Sequence, residues 1–150
     1  MYGGRLRSHF PRSSNRFAHT DALKAAGIDE VIVYCVNDAA VMTAWAEDQG
    51  VKGSMIKFFA DPSGTFTDAI DMKITHPGLP SVGIIGRCKR HVLYVEDGIV
   101  NAVCISEGPD DPGGDEDPSA TLAEAILEIV TTMQTASSKT AGQGMPNWTI

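Results

Sequence analysis

Cysteine is scarce and oddly placed in this sequence. There are three residues, Cys35, Cys88 and Cys104, with none before Cys35 and no C-x-x-C. An odd count at no framework spacing excludes a secreted disulfide scaffold and fits a reducing, intracellular compartment. No apolar run approaches the roughly 18–20 residues that cross a bilayer, so no membrane-spanning helix is expected. Acidic residues are absent from positions 1–20, which carry Arg5, Arg7, Arg12 and Arg16. The rest of the chain holds all 19 Asp and Glu residues and is strongly acidic. Phosphate affinity needs clustered Lys and Arg, so this body excludes a nucleic-acid partner. The Gly-rich stretches lack a Lys-Ser/Thr after a strand, and His9, His19, His76 and His91 show no metal-ligand spacing. No cofactor and no metal is expected, and the histidines are expected on the surface or in loops.

What is present is a clear alternation of elements. Residues 12–26 read as a helix using Phe17, Ala22, Leu23 and Ala26, stopped by Gly27. Val31–Val36 is continuously apolar and β-branched, as expected of a strand buried on both faces. Asn37 or Asp38 then caps a helix bearing Val41, Met42 and Trp45, and Gly50 ends it. Ser54–Ala60 reads as a second strand, closed by the turn Asp61-Pro62-Ser63-Gly64, and Thr65–Met72 as a short helix. Residues 74–87 are rich in Pro and Gly and read as a loop. His91–Glu96 and Ile99–Ser106 flank Asp97-Gly98, a two-residue hairpin turn. Residues 107–118 form an acidic loop. Its Asp110, Asp111, Asp115, Glu116 and Asp117 lack the alternation of a calcium loop and are expected in solvent. Ser119 caps a last helix through about Thr132, with Leu122, Ala125, Ile126, Ile129 and Val130 as its stripe. The order α-β-α-β-α-β-β-α implies an α/β fold: a parallel βαβ unit, an antiparallel hairpin and a closing helix. Three segments follow: 1–20, a basic arm or a transit-like leader; 21–135, the folded domain; and 136–150, a small-polar tail ending near Trp148.

Four motifs in order resemble the type II, or peroxiredoxin-five-like, branch of the peroxiredoxins. They are Val36-Asn37-Asp38 followed by Val41-Met42-Thr43-Ala44-Trp45; Phe59-Ala60-Asp61-Pro62-Ser63-Gly64-Thr65-Phe66-Thr67; Gly86-Arg87-Cys88-Lys89-Arg90-His91; and Val95-Glu96-Asp97-Gly98-Ile99-Val100. The resemblance spans roughly residues 22–132 and implies an incomplete thioredoxin-like fold. It also implies thiol-dependent reduction of peroxides, with thioredoxin or glutaredoxin as reductant. Arg90 matches the family's active-site arginine, a fixed cation that favours a thiolate and a developing oxyanion.

The departure lies upstream. The family carries its peroxide-reducing cysteine in a P-x-x-T-x-x-C loop about one helix before the motif at Val36. His9-Phe10-Pro11 faintly resembles the residues after that cysteine, and counting back four residues reaches Arg5. Arginine is permanently charged and is no nucleophile. In the family the strand before that loop lies at the centre of the sheet, beside the strand matching Val31–Val36, and here no apolar strand precedes residue 12. The expected outcomes are three: the flanking strands pair directly, residues 1–11 or a partner strand fills the place, or the chain is part of a longer one.

Among the thiols, Cys88 lies between Arg87, Lys89 and Arg90, so its thiolate is expected to be favoured and it is the candidate substitute nucleophile. Cys35 is expected to be a small core hydrophobe. The resemblance puts a family resolving cysteine two positions earlier, at Val33, on the same strand face, which keeps Cys35 a candidate resolving thiol. Cys104 is expected to face the core. The reading favoured by the sequence is a peroxiredoxin-like interaction or structural subunit without peroxidase activity. A partner would dock through residues 1–20, the sheet edge near Val31–Val36 or the tail with Trp148. The alternative is a thiol peroxidase using a substitute cysteine.

Overall fold

The computed structural model describes residues 16–141. The basic arm through Arg12, the His9-Phe10-Pro11 segment and the tail with Trp148 lie outside the described residues. Helix α1 (Arg16–Ala25) ends where the Gly27 N–H bonds the Lys24 carbonyl at 2.9 Å and the Ile28 N–H bonds that of Leu23 at 3.0 Å. Strand β1 (Val31–Cys35) runs parallel to β2 (Ile56–Ala60), with Val33 opposite Phe58 and Cys35 opposite Ala60. Between them lies α2 (Ala39–Gln49), whose cap is Asp38, not Asn37: the Asp38 carboxylate accepts the Val41 N–H at 2.9 Å. Helix α3 (Thr65–Ala69) is shorter than the sequence suggests, and Leu79–Val82 forms one 3₁₀ turn within the Pro/Gly loop.

Strands β3 (Arg90–Glu96) and β4 (Ile99–Ser106) form the expected hairpin. Asp97 at φ 50° and Gly98 at φ 78° supply the two positive φ values of a primed two-residue turn. Val95 pairs with Val100 but Tyr94 with Ala102, so Asn101 is an extra residue that bulges β4. The last helix, α4 (Ala123–Ala141), follows a 3₁₀ turn at Ser119–Thr121. It continues past Thr132 through residues expected to be tail. Its hydroxyls bond back into their own helix: Thr131, Thr132 and Thr135 reach the carbonyls of Leu127, Glu128 and Thr131 at 2.7–2.8 Å.

The βαβ unit, hairpin and closing helix are therefore present, but the sheet is split. Among the described residues, β1 has β2 as its strand neighbour, β3 has β4, and β1 and β3 do not pair. Direct pairing of the flanking strands is thus not how the sheet closes. Nor is β1 buried on both faces. Pairing puts Val33, Cys35 and Phe58 on the face that α2 covers, where Trp45 meets Phe58 edge-on at 5.0 Å. Ile32 and Phe59 lie on the other face and are 59% and 53% exposed, because little described structure covers it. The described core is small: Met42, Met55, Met72 and Val130 are the buried apolar residues.

Candidate functional site

The structure brings together two cysteines that lie 53 positions apart. Cys35 is the last residue of β1, where its carbonyl accepts the Asn37 N–H at 2.8 Å and the Asp61 N–H at 3.0 Å. Cys88 lies just before β3, in an isolated antiparallel bridge with Lys73. Backbone bonds on either side fix it, Ile74 N–H to Arg87 O at 2.9 Å and Lys89 N–H to Met72 O at 2.8 Å. The Cys88 and Cys35 thiols lie side by side, close enough that each sets the other's titration, with the Val36 amide beside both. Both thiols are free and half-buried.

The electrostatics reverse the sequence expectation. The neighbouring Cys88 thiol draws the Cys35 thiol down to about 6, against its burial, with Arg87 and the Val36 amide adding to the pull. Cys88 is pushed above the ordinary thiol range by the neighbouring Cys35 thiol, by burial and by the charge on Cys35. Of the two, Cys35 is the thiol whose thiolate is favoured. The cations beside Cys88 account for this. Lys89 is paired with Glu107 at 3.0 Å and Arg90 with Asp115 at 2.6 Å, and it is Cys35 that Arg87 reaches.

Arg90 and His91 are successive strand residues, so their side chains leave β3 on opposite faces. Arg90 turns to the acidic loop, where Asp115 takes its terminal nitrogen while Nε is buried without a partner. His91 turns to Tyr34, whose hydroxyl lies 3.2 Å from His91 Nε2. His91 Nδ1 lies 2.9 Å from the Lys89 carbonyl, which only accepts, so Nδ1 carries the proton and Nε2 accepts from Tyr34. Tyr34 also meets Phe66 edge-on at 4.8 Å and His91 at 5.6 Å. Burial raises its phenol above the ordinary range; a hydrogen bond with Thr67 opposes this, and the charges of Cys88, Asp61 and Cys35 add to it. His91 is thus a half-buried link between the two sheets, not the surface residue its spacing suggested.

Asp61, at the end of β2, anchors the floor of this region. Its carboxylate accepts the Phe66 N–H at 3.2 Å, the Thr67 N–H at 2.9 Å and the Thr67 hydroxyl at 2.8 Å, and Thr67 is fully buried. Burial alone would raise this carboxyl, but the Thr67 amide and hydroxyl, with the Phe66 and Thr65 amides, hold it below the ordinary range. A depressed folded pKa stabilises the fold above the unfolded pKa of about 3.9 and loses that effect as pH falls through the folded value. The urea midpoint is therefore expected to fall on acidification below about pH 4, and Asp61→Asn to flatten that fall. An unchanged acid limb in Asp61→Asn would remove Asp61 as its cause.

The acidic loop turns its carboxylates on its own amides. Asp111 accepts the Glu116 N–H at 2.8 Å and Asp117 the Ser119 N–H at 3.1 Å. Among the described residues no group of three or more His, Cys, Asp or Glu is placed to hold a metal, and no helix is long and apolar enough to cross a membrane. Of the sequence candidates, Cys35 and Cys88 come together and Arg90 stands apart. Tyr34, His91 and Thr67 were missed. Only the Asp61–Thr67 capping pattern had a local signal, a carboxylate before a Gly-Thr-Phe-Thr run.

The sequence profile of the family described as Redoxin matches residues 11–122. The chain is 39% identical over 95 residues to the mitochondrial Peroxiredoxin-2F of Arabidopsis thaliana, covering 63% of this chain and 45% of that protein. It is 36% identical over 106 residues to the hybrid peroxiredoxin hyPrx5 of Haemophilus influenzae, covering 71% and 40%. The chain thus spans less than half the length of these relatives. Among solved structures, reduced Prx3 in complex with H2O2 from Vibrio vulnificus superposes with a TM-score of 0.61 at 28% identity, covering 78% of this chain and 65% of that one. Peroxiredoxin 5 from Alvinella pompejana gives 0.57 at 24% identity, over 82% and 73%, a likeness of fold.

Proposed function

The chain belongs to the redoxin family, as a peroxiredoxin-five-like member with a partial thioredoxin-like fold, and from this we propose that it serves as an interaction subunit that does not itself turn over peroxide. The observation that carries this is the placement of Arg90. The residue matching the family's active-site arginine gives its guanidinium to Asp115 at 2.6 Å, on the strand face away from His91 and Tyr34. A fixed cation helps peroxide chemistry only when it faces the reacting sulfur and oxygens. The partner in this reading is a protein. Among the described residues the edges of β1 and β3 that face away from β2 and β4 have no strand neighbour, and they offer backbone donors and acceptors that a partner's strand can take up. An organelle setting belongs to the proposal, supported by the arginines near the start of the chain and by relatives named as mitochondrial and chloroplastic.

A second reading rests on the acidic Cys35 thiol beside Cys88, which supplies a nucleophile without the upstream loop. One assay separates the two: peroxide consumption by the purified chain with a thioredoxin or glutaredoxin system. The expected result is peroxide loss no faster than without the protein. Turnover that disappears in Cys35→Ser would overturn the first reading and establish the second.

A further inference from the structure

We propose that Cys35 and Cys88 form a dithiol–disulfide exchange site, in which Cys35 attacks a disulfide-bonded substrate and Cys88 closes an internal Cys35–Cys88 disulfide. The two thiols arrive from separate elements, Cys35 at the end of β1 and Cys88 just before β3, and lie side by side. Each is held by backbone bonds at its own end: Cys35 by Asn37 and Asp61, Cys88 by the Lys73 bridge and the flanking bonds to Ile74 and Met72. Neither is buried away from solvent, so a small disulfide can reach them. Cys104 pairs with Val92 across the hairpin and serves as an internal control.

The chemistry balances without a cofactor. The Cys35 thiolate attacks one sulfur of RS–SR; the S–S bond breaks, and RS⁻ leaves with the electron pair and is protonated to RSH. A mixed disulfide remains on Cys35. Cys88 gives up its proton to the departing thiolate or to water and attacks the Cys35 sulfur, and the second RS⁻ leaves and is protonated. The two protein thiols lose two electrons, and the substrate disulfide gains them and yields two thiols. The order follows from the site, since Cys35 is the thiol whose thiolate the Arg87 charge favours.

The test uses the unsubstituted chain in a glutathione/glutathione-disulfide buffer, quenched in acid, alkylated and mapped by mass spectrometry. The expected product has lost two hydrogens, carries a Cys35–Cys88 linkage and has Cys104 alkylated. Cys88→Ser is expected to stop at a glutathione adduct on Cys35, and Cys35→Ser to form adduct at Cys88 at least about tenfold more slowly. Because the linkage is read on unsubstituted protein, a variant that fails to fold does not shield the proposal. A second readout is alkylation rate against pH, with a midpoint near 6 for Cys35. Balancing thiolate fraction against the lower nucleophilicity of an acidic thiol, Cys35 should react about tenfold faster than an ordinary thiol at pH 6 but only about twofold faster at pH 7. The proposal is overturned if Cys35 and Cys88 both remain alkylatable in oxidising buffer, or if either links to Cys104. A positive or negative peroxide assay does not enter either outcome.

Discussion

Gly114→Ala is expected to lower the stability of the chain by about 2–5 kcal/mol, a large share of the roughly 5–15 kcal/mol of a typical domain. Two costs combine. Gly114 has φ 65°, a left-handed conformation that costs a side chain about 1–2 kcal/mol. It is also buried, and a Cβ placed there would run into the Ser106 carbonyl and crowd the Ser106 Cβ at 2.8 Å. The obstacle is backbone at the end of β4, so no rotamer change relieves it, and overpacking of this kind adds about 1–3 kcal/mol. The melting temperature should fall on the order of 10 °C for a chain of this size. The effect reaches the Arg90 region, because Gly114 seats the acidic loop on Ser106, and the next residue, Asp115, holds Arg90. A Tm within two degrees of the parent would show that the loop can lift off Ser106 at little cost.

Local chemistry was legible in the sequence. A buried-looking run followed by Asp38 gave the strand-to-helix junction, since an N-cap needs only its own carboxylate and the Val41 amide. Asp97-Gly98 gave the hairpin, since the turn's dihedral requirement is met by two adjacent residues. The four ordered motifs gave the family. What failed depended on distant partners. The apolar character of Val31–Val36 could not tell one covered face from two, because the cover is supplied by α2 on one face and is scant on the other. Small polar residues after Thr132 read as tail, yet α4 runs on to Ala141, its Thr135 hydroxyl turned back onto the Thr131 carbonyl within the helix.

The site was illegible for the same reason. Local sequence surrounds Cys88 with three cations and suggests a Cys88 thiolate. The fold draws Lys89 and Arg90 away to Glu107 and Asp115, and brings Cys35 up beside Cys88. A pairing across 53 positions leaves no trace in spacing, periodicity or composition.

Tyr34→Ala is the second large prediction, about 2–3 kcal/mol of lost stability. A buried aromatic cut to alanine costs about 3–5 kcal/mol, and Tyr34 is only half-buried, so its cost falls at or below the foot of that scale. Tyr34→Phe keeps the ring contacts with Phe66 and His91 and loses the hydroxyl bonds, for about 1 kcal/mol. The difference matters because β1 and β3 share no ladder among the described residues, so the phenol at 3.2 Å from His91 is a side-chain tie where backbone bonds are missing. His91 follows Cys88 by three residues on the same segment, so freeing it should let Cys88 drift from Cys35. The Cys35 alkylation midpoint should then climb from about 6 toward the ordinary value of about 8.5 in Tyr34→Ala, and move little in Tyr34→Phe. Denaturant melts of both variants, read beside their alkylation profiles, check this. If Tyr34→Ala lost stability while the Cys35 midpoint stayed near 6, Tyr34 would be packing alone, and the Lys73 and Met72 bonds would be what holds the thiols together.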